Sequence, residues 1–318
     1  MLFLIIHILL FVASFVLLSF SSKWLVSNLS KVSFFLKVRE FVVGFFIMAF
    51  AASAPNFFVG LVSAFNKVPQ LSFGDVIGGN IVDLTLIIGL AALLSRGGLS
   101  SESRTVQGTS IFTIIIAVLP LFLIIDQKLS RPDGLVLILS FIIYIFWLFS
   151  KNERFSKIYE HETKKTKPKY IAKNLFFLLL SVILLLVGSE GVVVSASYFS
   201  KLLNLPISLI GLFVVGLGNC LPEAFFSIQA ARRGQDWMVL GDLMGGVVIT
   251  ATLVLGIVAL ICPITIVDFS PFAIARLFMV ISALLFIFCL KTDNKISKKE
   301  GIFLLLLYIL FLVTEILT

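Results

Sequence analysis

Two acidic residues, Asp83 and Glu223, lie inside long apolar stretches of this sequence. An ionised side chain in the hydrocarbon core of a membrane is energetically costly, so acids at such positions usually serve a function. The plain structural alternative is a buried ion pair. It is disfavoured because the apolar stretches around both acids contain no Lys or Arg. Asp83 and Glu223 are therefore the first candidates for a cation or proton site.

Oxygen-bearing side chains recur at helical spacing near these two acids, and residues three or four apart share a helix face. The residues related in this way are Ser53 and Asn56; Asp75, Gly79 and Asp83; and Glu223 and Ser227. Pro55 and Pro222 each precede a polar residue of these faces, and a proline frees the backbone carbonyl one turn earlier. Those carbonyls belong to Ala51 and Gly218.

This combination of donors suits a hard cation. Ca²⁺ takes six to eight oxygen ligands from carboxylates, amides, carbonyls and water. The side chains that could supply this shell are Asp83, Glu223, Asn56, Ser53, Thr250 and Asn219. Asp83 and Glu223 would carry the charge that holds the metal.

Other polar residues of the same stretches have plainer interpretations. Asp75 and Asp242 lie nearer the ends of their apolar stretches, where solvation favours a structural or entrance role. Asn80 could join two helices by a hydrogen bond, and Ser227 could support the site from its edge. The glycine pairs Gly78 and Gly79, Gly245 and Gly246 are as well explained by helix packing as by a role in the site.

The composition shows which elements must position these residues. Of 318 residues, 59% are hydrophobic and only 13% are charged, whereas about a quarter of residues are charged in soluble domains. These values exclude a soluble enzyme, a disordered chain and an ordinary nucleic-acid binder. The three cysteines, Cys220, Cys262 and Cys289, lie in apolar stretches and are interpreted as small buried residues.

A membrane-spanning helix needs about 20 apolar residues, and this criterion predicts ten spans. They are 2–21, 42–65, 71–94, 110–125, 134–148, 174–196, 207–231, 239–261, 271–290 and 301–318. The loops after the odd-numbered spans contain 20 of the 25 Lys and Arg residues. Because basic loops stay in the cytoplasm, the sequence predicts a multi-pass protein of the cell membrane with both termini outside. Residues 151–173 form the longest cytoplasmic basic loop.

An internal repeat divides the chain into two five-helix halves, residues 1–150 and 174–318. A shift of 167 positions aligns residues 44–90 with residues 211–257, with 12 identities over 47 ungapped positions, most of them Gly, Pro, Asp or Thr. The shift spans five helices, an odd number, so the halves must cross the membrane in opposite senses. Such inverted repeats are common in secondary transporters, whose sites lie near the bilayer midplane. The repeat relates Asp83 to Thr250 and Asn56 to Glu223.

Two motifs in each repeat resemble the calcium/cation antiporter superfamily, which contains the sodium/calcium exchangers. The first resembles G-(T/S)-S-x-P-E and reads AASAPN at 51–56 and GNCLPE at 218–223. The second resembles G-(N/D)-x-x-G-(S/G)-N-(I/V) and reads GDVIGGNI at 74–81 and GDLMGGVV at 241–248. The resemblance implies that both motifs lie at the centre of a ten-span fold. It implies cation ligands at Ser53, Asn56, Asp83, Asn219, Cys220, Glu223 and Thr250.

The sequence departs from the superfamily pattern within these motifs. Asn56 replaces an acid of the first repeat. The usual hydroxyl residues are missing at Ala52, Gly79, Cys220 and Gly246, and the usual Asn is missing at Val247. One carboxylate remains in each half, giving a site charge of about −2 if both ionise, which balances one divalent ion. These departures weaken the expectation of the usual sodium sites.

The leading hypothesis is a secondary active antiporter that exports Ca²⁺, or a similar cation, in exchange for Na⁺ or H⁺ by alternating access. Its expected partners are inorganic cations and membrane lipid; no cofactor, nucleic acid or obligate protein partner is expected. An uncoupled cation channel, or an ion-sensing membrane protein with a degenerate exchanger site, is the alternative. An enzyme is not expected, because the sequence contains no HExxH or GxSxG motif.

Overall fold

The apolar stretches form ten helices in a computed structural model that describes residues 2–35, 50, 52–101, 104–150, 171–266 and 271–317. The helices are α1 (Leu2–Phe35), α2 (Ala54–Phe65), α3 (Pro69–Leu94), α4 (Arg104–Leu123), α5 (Arg131–Ser150), α6 (Ile171–Leu203), α7 (Ile207–Arg232), α8 (Asp236–Ile261), α9 (Pro271–Lys291) and α10 (Lys298–Leu317). The predicted all-α architecture with ten helices is confirmed. Most of the predicted basic loop, residues 151–170, lies outside the described residues.

Eight helices of the described part are long and apolar enough to cross a membrane. The helix α2 is a shorter apolar helix, and the predicted N-terminal part of its span, residues 42–49, lies outside the described residues. The two shortest predicted spans, 110–125 and 134–148, correspond to the 20-residue helices α4 and α5, which begin six and three residues earlier than predicted; α4 also ends two residues earlier and α5 two residues later. Their polar first turns explain the earlier starts, because Arg104 and Arg131 begin helices but do not count as apolar.

The inner helices α3 and α8 occupy the centre of the bundle. In their most apolar stretches 83% and 78% of residues are buried, compared with 11% in α1. The helix α1 packs along α6 at the outside, where Ser14 lies against Gly188 and Gly191. The remaining exposed apolar side chains of α1 suit contact with lipid.

The two-fold repeat is visible in matched glycine contacts. A Cβ on Gly89 of α3 would be 2.8 Å from the Gly301 carbonyl oxygen of α10, and a Cβ on Gly134 of α5 would be 2.8 Å from the Gly256 carbonyl oxygen of α8. A shift of 167 residues converts the first contact into the second. These two helix pairs therefore pack in the same way, as the inverted repeat predicts.

Short strands pair the loops at the two ends of the bundle. β1 (Leu99–Ser100), after α3, pairs antiparallel with β4 (Lys295–Ile296), after α9. β2 (Lys128–Leu129), after α4, pairs antiparallel with β3 (Ile264–Thr265), after α8. Loops after odd-numbered helices thus meet each other, and so do loops after even-numbered helices. This is the alternation that ten consecutive spans require.

Three of the long helices contain a π-helical turn. These turns are Asp83–Ile87 in α3, Gly211–Val215 in α7 and Ile249–Val254 in α8. The turns of α3 and α8 occupy equivalent positions in the two repeats. The turn in α3 begins at Asp83, and the turn in α8 begins one residue before Thr250, the residue that the repeat relates to Asp83. A π-helical turn inside an α-helix frequently marks a functional site, and here it places both residues at the middle of their helices.

Candidate cation site

The helices α3 and α7 approach each other closely enough for their backbones to touch. A Cβ on Gly74 would be 2.0 Å from the Ser208 carbonyl oxygen, and one on Gly78 would be 2.0 Å from the Leu212 carbonyl oxygen. Gly74 and Gly78 form a GxxxG pair, the spacing that lets membrane helices pack at short distance. This contact brings Asp83 of α3 to Glu223 of α7. The packing interpretation of Gly78 is correct.

Three potential ligand groups converge where α3 meets α7. The carboxylate oxygens of Asp83 and Glu223 and the Sγ atom of Cys220 lie within 4.8 Å of one another. All three residues are buried. The predicted central pair is therefore brought together from the two repeats, and we refer to Asp83, Cys220 and Glu223 as the acidic cluster.

Cys220 belongs to this cluster and is buried, as predicted for the cysteines; Cys289 is buried too, whereas Cys262 is only half-buried. The Cys220 thiol donates to the Gly79 carbonyl oxygen at 3.6 Å. All three cysteines are free, and Cys262 and Cys289 lie elsewhere in the fold. The repeat offers a signal for Cys220, because the shift of 167 residues relates it to Ser53, a candidate ligand.

Ser53 also lies near Glu223. A Cβ built on Gly246 of α8 would be 3.8 Å from both the Ser53 Oγ atom and a Glu223 carboxylate oxygen. Ser53 is fully buried, and its hydroxyl has no hydrogen-bond partner among the described residues. Gly246 therefore borders the site instead of packing tightly against a neighbouring backbone.

Asp83 also has an unsatisfied oxygen. Only 4% of the residue is exposed, and its Oδ1 atom has no hydrogen-bond partner in the described structure. A buried carboxylate without a partner is costly unless a cation or a donor neutralises it. A cation bound in the acidic cluster would therefore remove the cost of burying this carboxylate.

Asn219 and Asp75 form a second pair beside the cluster. Asn219 Nδ2 donates to Asp75 Oδ1 at 2.9 Å and to Asp75 Oδ2 at 3.0 Å. Asp75 is fully buried, so the expectation that it is solvated near a span end is wrong. The close packing of α3 on α7 around Gly74 explains this burial. Asp75 supports a candidate ligand directly.

Thr250 is linked to the first repeat in a similar way. Its hydroxyl lies 2.8 Å from Asn80 Oδ1, to which it can donate, and 3.0 Å from the Gly246 carbonyl oxygen. Asn80 therefore joins α3 to α8, as predicted for an inter-helix hydrogen bond. The hydroxyl proton of Thr250 points at protein acceptors, which leaves its oxygen lone pairs for other contacts.

The remaining candidates lie on the predicted helices. Asn56 and Ser227 are buried in α2 and α7, whereas Asp242 of α8 is half-buried. Pro55 stands in the first turn of α2 and Pro222 lies inside α7. Gly218 faces the ring of Phe15, and Ala51, the other proposed carbonyl donor, lies outside the described residues.

Comparison with known proteins gives one consistent result. The family described as "Sodium/calcium exchanger protein" matches residues 6–150 and 173–317. An uncharacterized membrane protein of Methanocaldococcus jannaschii is 28% identical over 303 residues, covering 94% of this chain and 95% of that protein. The sodium/calcium exchanger MaX1 of Methanosarcina acetivorans is 27% identical over 329 residues, covering 92% and 93%.

Solved structures agree with the sequence relatives. A structure of the sodium-calcium exchanger NCX_Mj soaked with Na⁺ and without Ca²⁺ matches with a TM-score of 0.65 and 26% identity, covering 98% of this chain and 99% of that chain. Another, soaked with Na⁺ and Sr²⁺, matches with a TM-score of 0.64. The likeness extends over both repeats and includes the regions that hold the acidic cluster.

Proposed function

Since the chain belongs to the sodium/calcium exchanger family, we propose that it is a secondary active antiporter that exports Ca²⁺ in exchange for Na⁺ or H⁺. The single observation that carries this proposal is the convergence of Asp83 and Glu223, one acid from each inverted repeat, within 4.8 Å of Cys220. A site shared by both repeats can change its access when the repeats move against each other.

The donors around the acidic cluster fit a divalent cation. Two carboxylates carry the charge that one Ca²⁺ ion needs, and neutral oxygens complete such a shell. The Oδ1 atoms of Asp83 and Asn219 and the Oγ atom of Ser53 are buried without hydrogen-bond partners in the described structure. We propose that these oxygens bind the cation, together with Glu223, Asn56 and Thr250.

Exchange follows from the cost of leaving the two acids without a counter-charge. Asp83 and Glu223 can be neutralised by one divalent ion or by Na⁺ or H⁺, but the same oxygens cannot bind the divalent ion and the counter-ion at the same time. An empty, charged site would be costly to enclose in the membrane. The movement that changes access therefore proceeds with either the divalent ion or the counter-ion bound, and the two fluxes are coupled.

The orientation belongs to the same proposal. The excess of Lys and Arg in the loops after odd-numbered helices supports placing these loops in the cytoplasm and both termini outside the cell membrane. Ca²⁺ would then leave the cell toward the face that carries the loops after α4 and α8.

The proposal is tested by reconstituting the full chain in proteoliposomes and measuring uptake of radioactive Ca²⁺. Uptake should require an opposing Na⁺ or pH gradient and should be lost in Asp83→Asn and in Glu223→Gln. The matched control is Asp126→Asn, which neutralises an exposed acid in the loop after α4 and should transport normally. Uptake that ignores both gradients and survives the two cluster substitutions would refute the proposal.

An uncoupled channel is a separate outcome of the same experiment. The missing acid at Asn56 and the missing hydroxyls at Gly79 and Gly246 motivate this alternative. A channel would give currents that need no counter-ion on the opposite side. Currents that do not depend on a Na⁺ or pH gradient, and that are lost in Asp83→Asn, would favour the channel over the antiporter.

A further inference from the structure

The cation site contains a sulfur atom among its oxygens. Cys220 is 1% exposed, and its Sγ atom lies with the carboxylate oxygens of Asp83 and Glu223 in one group whose members are all within 4.8 Å of each other. Cys220 is not placed there as an isolated thiol. It stands one helical turn before Glu223 on the same face of α7.

The surroundings of the sulfur leave it available to a metal. A Cβ on Gly79 would be 3.3 Å from Cys220 Sγ, and the thiol has a long hydrogen bond of 3.6 Å to the Gly79 carbonyl oxygen. No side chain stands at residue 79 to separate the sulfur from the acidic cluster. A thiol hydrogen bond of this length is weak, so a metal ion can displace it at little cost.

Two oxygens at or beside the acidic cluster have no hydrogen-bond partner in the described protein. Asp83 Oδ1 and Ser53 Oγ are buried, and neither has a partner in the part of the chain that the structure describes. A cation bound beside Cys220 and Asp83 would satisfy the Asp83 oxygen, and Ser53 borders Glu223 of the same cluster. This observation is independent of the sulfur, because it concerns polar atoms on α3 and at the start of α2.

We propose that Cys220 is a metal ligand that makes the site prefer thiophilic divalent cations of calcium-like size, for which Cd²⁺ is the probe, over Ca²⁺ itself. Thiolate ligands select soft metals, whereas carboxylates and carbonyls suit Ca²⁺. The inference deepens the proposed function and rests on it, since the same cluster carries the transported ion.

Binding of such a metal changes the protonation of the cysteine. The S–H bond breaks, the proton passes to water, and the sulfur donates its electron pair to the metal. Cd²⁺ binding should therefore release a proton from Cys220 in unbuffered solution. No oxidation or reduction takes part in this step.

The chain offers its own matched controls for the experiment. Cys262 and Cys289 are the two other cysteines, and neither belongs to the acidic cluster. The variant Cys262→Ser plus Cys289→Ser should fold and exchange Ca²⁺ like the wild type. In this background Cys220 is the single thiol, so any cadmium–thiolate absorption must come from it.

The measurement is a titration of this purified full-length variant in detergent with Cd²⁺. A ligand-to-metal charge-transfer band in the ultraviolet should appear and saturate at one metal per chain. Adding Cys220→Ser should remove the band and raise the Kd for Cd²⁺ by about tenfold or more. The Kd for Ca²⁺ should hold or fall, because a hydroxyl oxygen is a harder ligand than sulfur.

The outcomes separate this inference from the proposed function. If Ca²⁺ exchange occurs but no thiolate band appears, or if Cys220→Ser leaves the Cd²⁺ to Ca²⁺ preference unchanged, the sulfur is not a ligand and only this inference fails. If the band appears but no exchange is found, the metal site stands and the transport proposal fails. Cys220→Ala, checked for a single folded species by size exclusion, should also lose the band.

Discussion

Asn219 of α7 directs its amide nitrogen to both carboxylate oxygens of Asp75 on α3, at 2.9 and 3.0 Å. The nitrogen is thereby committed to Asp75, and the Asn219 Oδ1 atom is left buried without a partner among the described residues. The amide orientation follows from this network. Asp75 therefore holds the amide nitrogen of Asn219, and the Asn219 oxygen that we propose as a cation ligand stays free of hydrogen bonds to the described residues.

Asp75→Asn is expected to weaken Ca²⁺ binding. An amide at residue 75 can donate to Asn219 Oδ1, which allows the Asn219 amide to flip and present its nitrogen in place of the ligand oxygen. Loss of a residue that orients a metal ligand typically costs about 10-fold to 100-fold in metal affinity. Isothermal titration of the purified protein with Ca²⁺ measures the change.

Asp242→Asn is the matched comparison for this prediction. The repeat relates Asp242 to Asp75, but the residue that corresponds to Asn219 is Ala52, which has no amide to orient. The loss of affinity should therefore be smaller. Equal losses in the two variants would mean that total charge matters and that orientation of Asn219 does not.

Gly78→Ala should destabilise the protein strongly. The new Cβ would lie 2.0 Å from the Leu212 carbonyl oxygen, so α3 and α7 would have to separate, and overpacking of this kind costs about 1–3 kcal/mol. Gly79→Ala is the adjacent control, because its Cβ would be 3.3 Å from the Cys220 sulfur and 3.9 Å from the Gly216 carbonyl oxygen, with no overlap of backbones. Thermal unfolding in detergent should show a clearly lower Tm for Gly78→Ala; similar values would contradict the observed helix contact.

Gly246→Ser should strengthen binding of hard cations. A Cβ at this position would stand 3.8 Å from both the Ser53 hydroxyl and a Glu223 oxygen, so the Cβ fits without a clash and a serine there brings a further oxygen to the site. Gly246→Ala introduces the same Cβ without the oxygen. Na⁺-driven Ca²⁺ uptake should show a lower half-saturating Na⁺ concentration for the serine variant than for the alanine variant.

The orientation can be tested at two exposed lysines of the loop strands. Lys295 lies in β4 and Lys128 in β2, at opposite ends of the helix bundle. Single cysteines at these positions, in a background without the three native cysteines, should react differently with a membrane-impermeant maleimide applied to whole cells. We expect labelling of Lys128→Cys and protection of Lys295→Cys; the reverse pattern would invert the proposed topology.

Much of the fold could be predicted from the sequence because a membrane imposes simple requirements. A span must be long and apolar, which predicts ten helices, and Gly, Pro, Asp and Thr identities at a shift of 167 residues predict the inverted repeat. The same reasoning finds Asp83 and Glu223, since a buried acid in an apolar stretch needs no tertiary information to be noticed. The same reasoning does not find the packing contacts of Gly134 and Gly301, because these two glycines lie outside the aligned motifs.

The repeat also shows where the two halves of the site differ. Asn80 accepts from Thr250, but the residue related to Asn80 is Val247, which cannot bond to Asp83. This substitution is readable in the sequence. Its consequence, an Asp83 oxygen without a partner, is visible only when α3 and α8 are packed together.

Apolar composition and the internal repeat predict a bundle of membrane helices with Asp83 and Glu223 inside its two inverted halves. Which polar groups meet depends on how those helices pack. Asn219 bonds to Asp75 across 144 positions of sequence, Cys220 to Gly79 across 141 and Thr250 to Asn80 across 170. Helical spacing specifies the face of each residue, whereas these contacts depend on the crossing and relative depth of separate helices. The backbone contact at Gly74 and Gly78 fixes the crossing and the relative depth of α3 and α7, and so places the Cys220 thiol among the carboxylates.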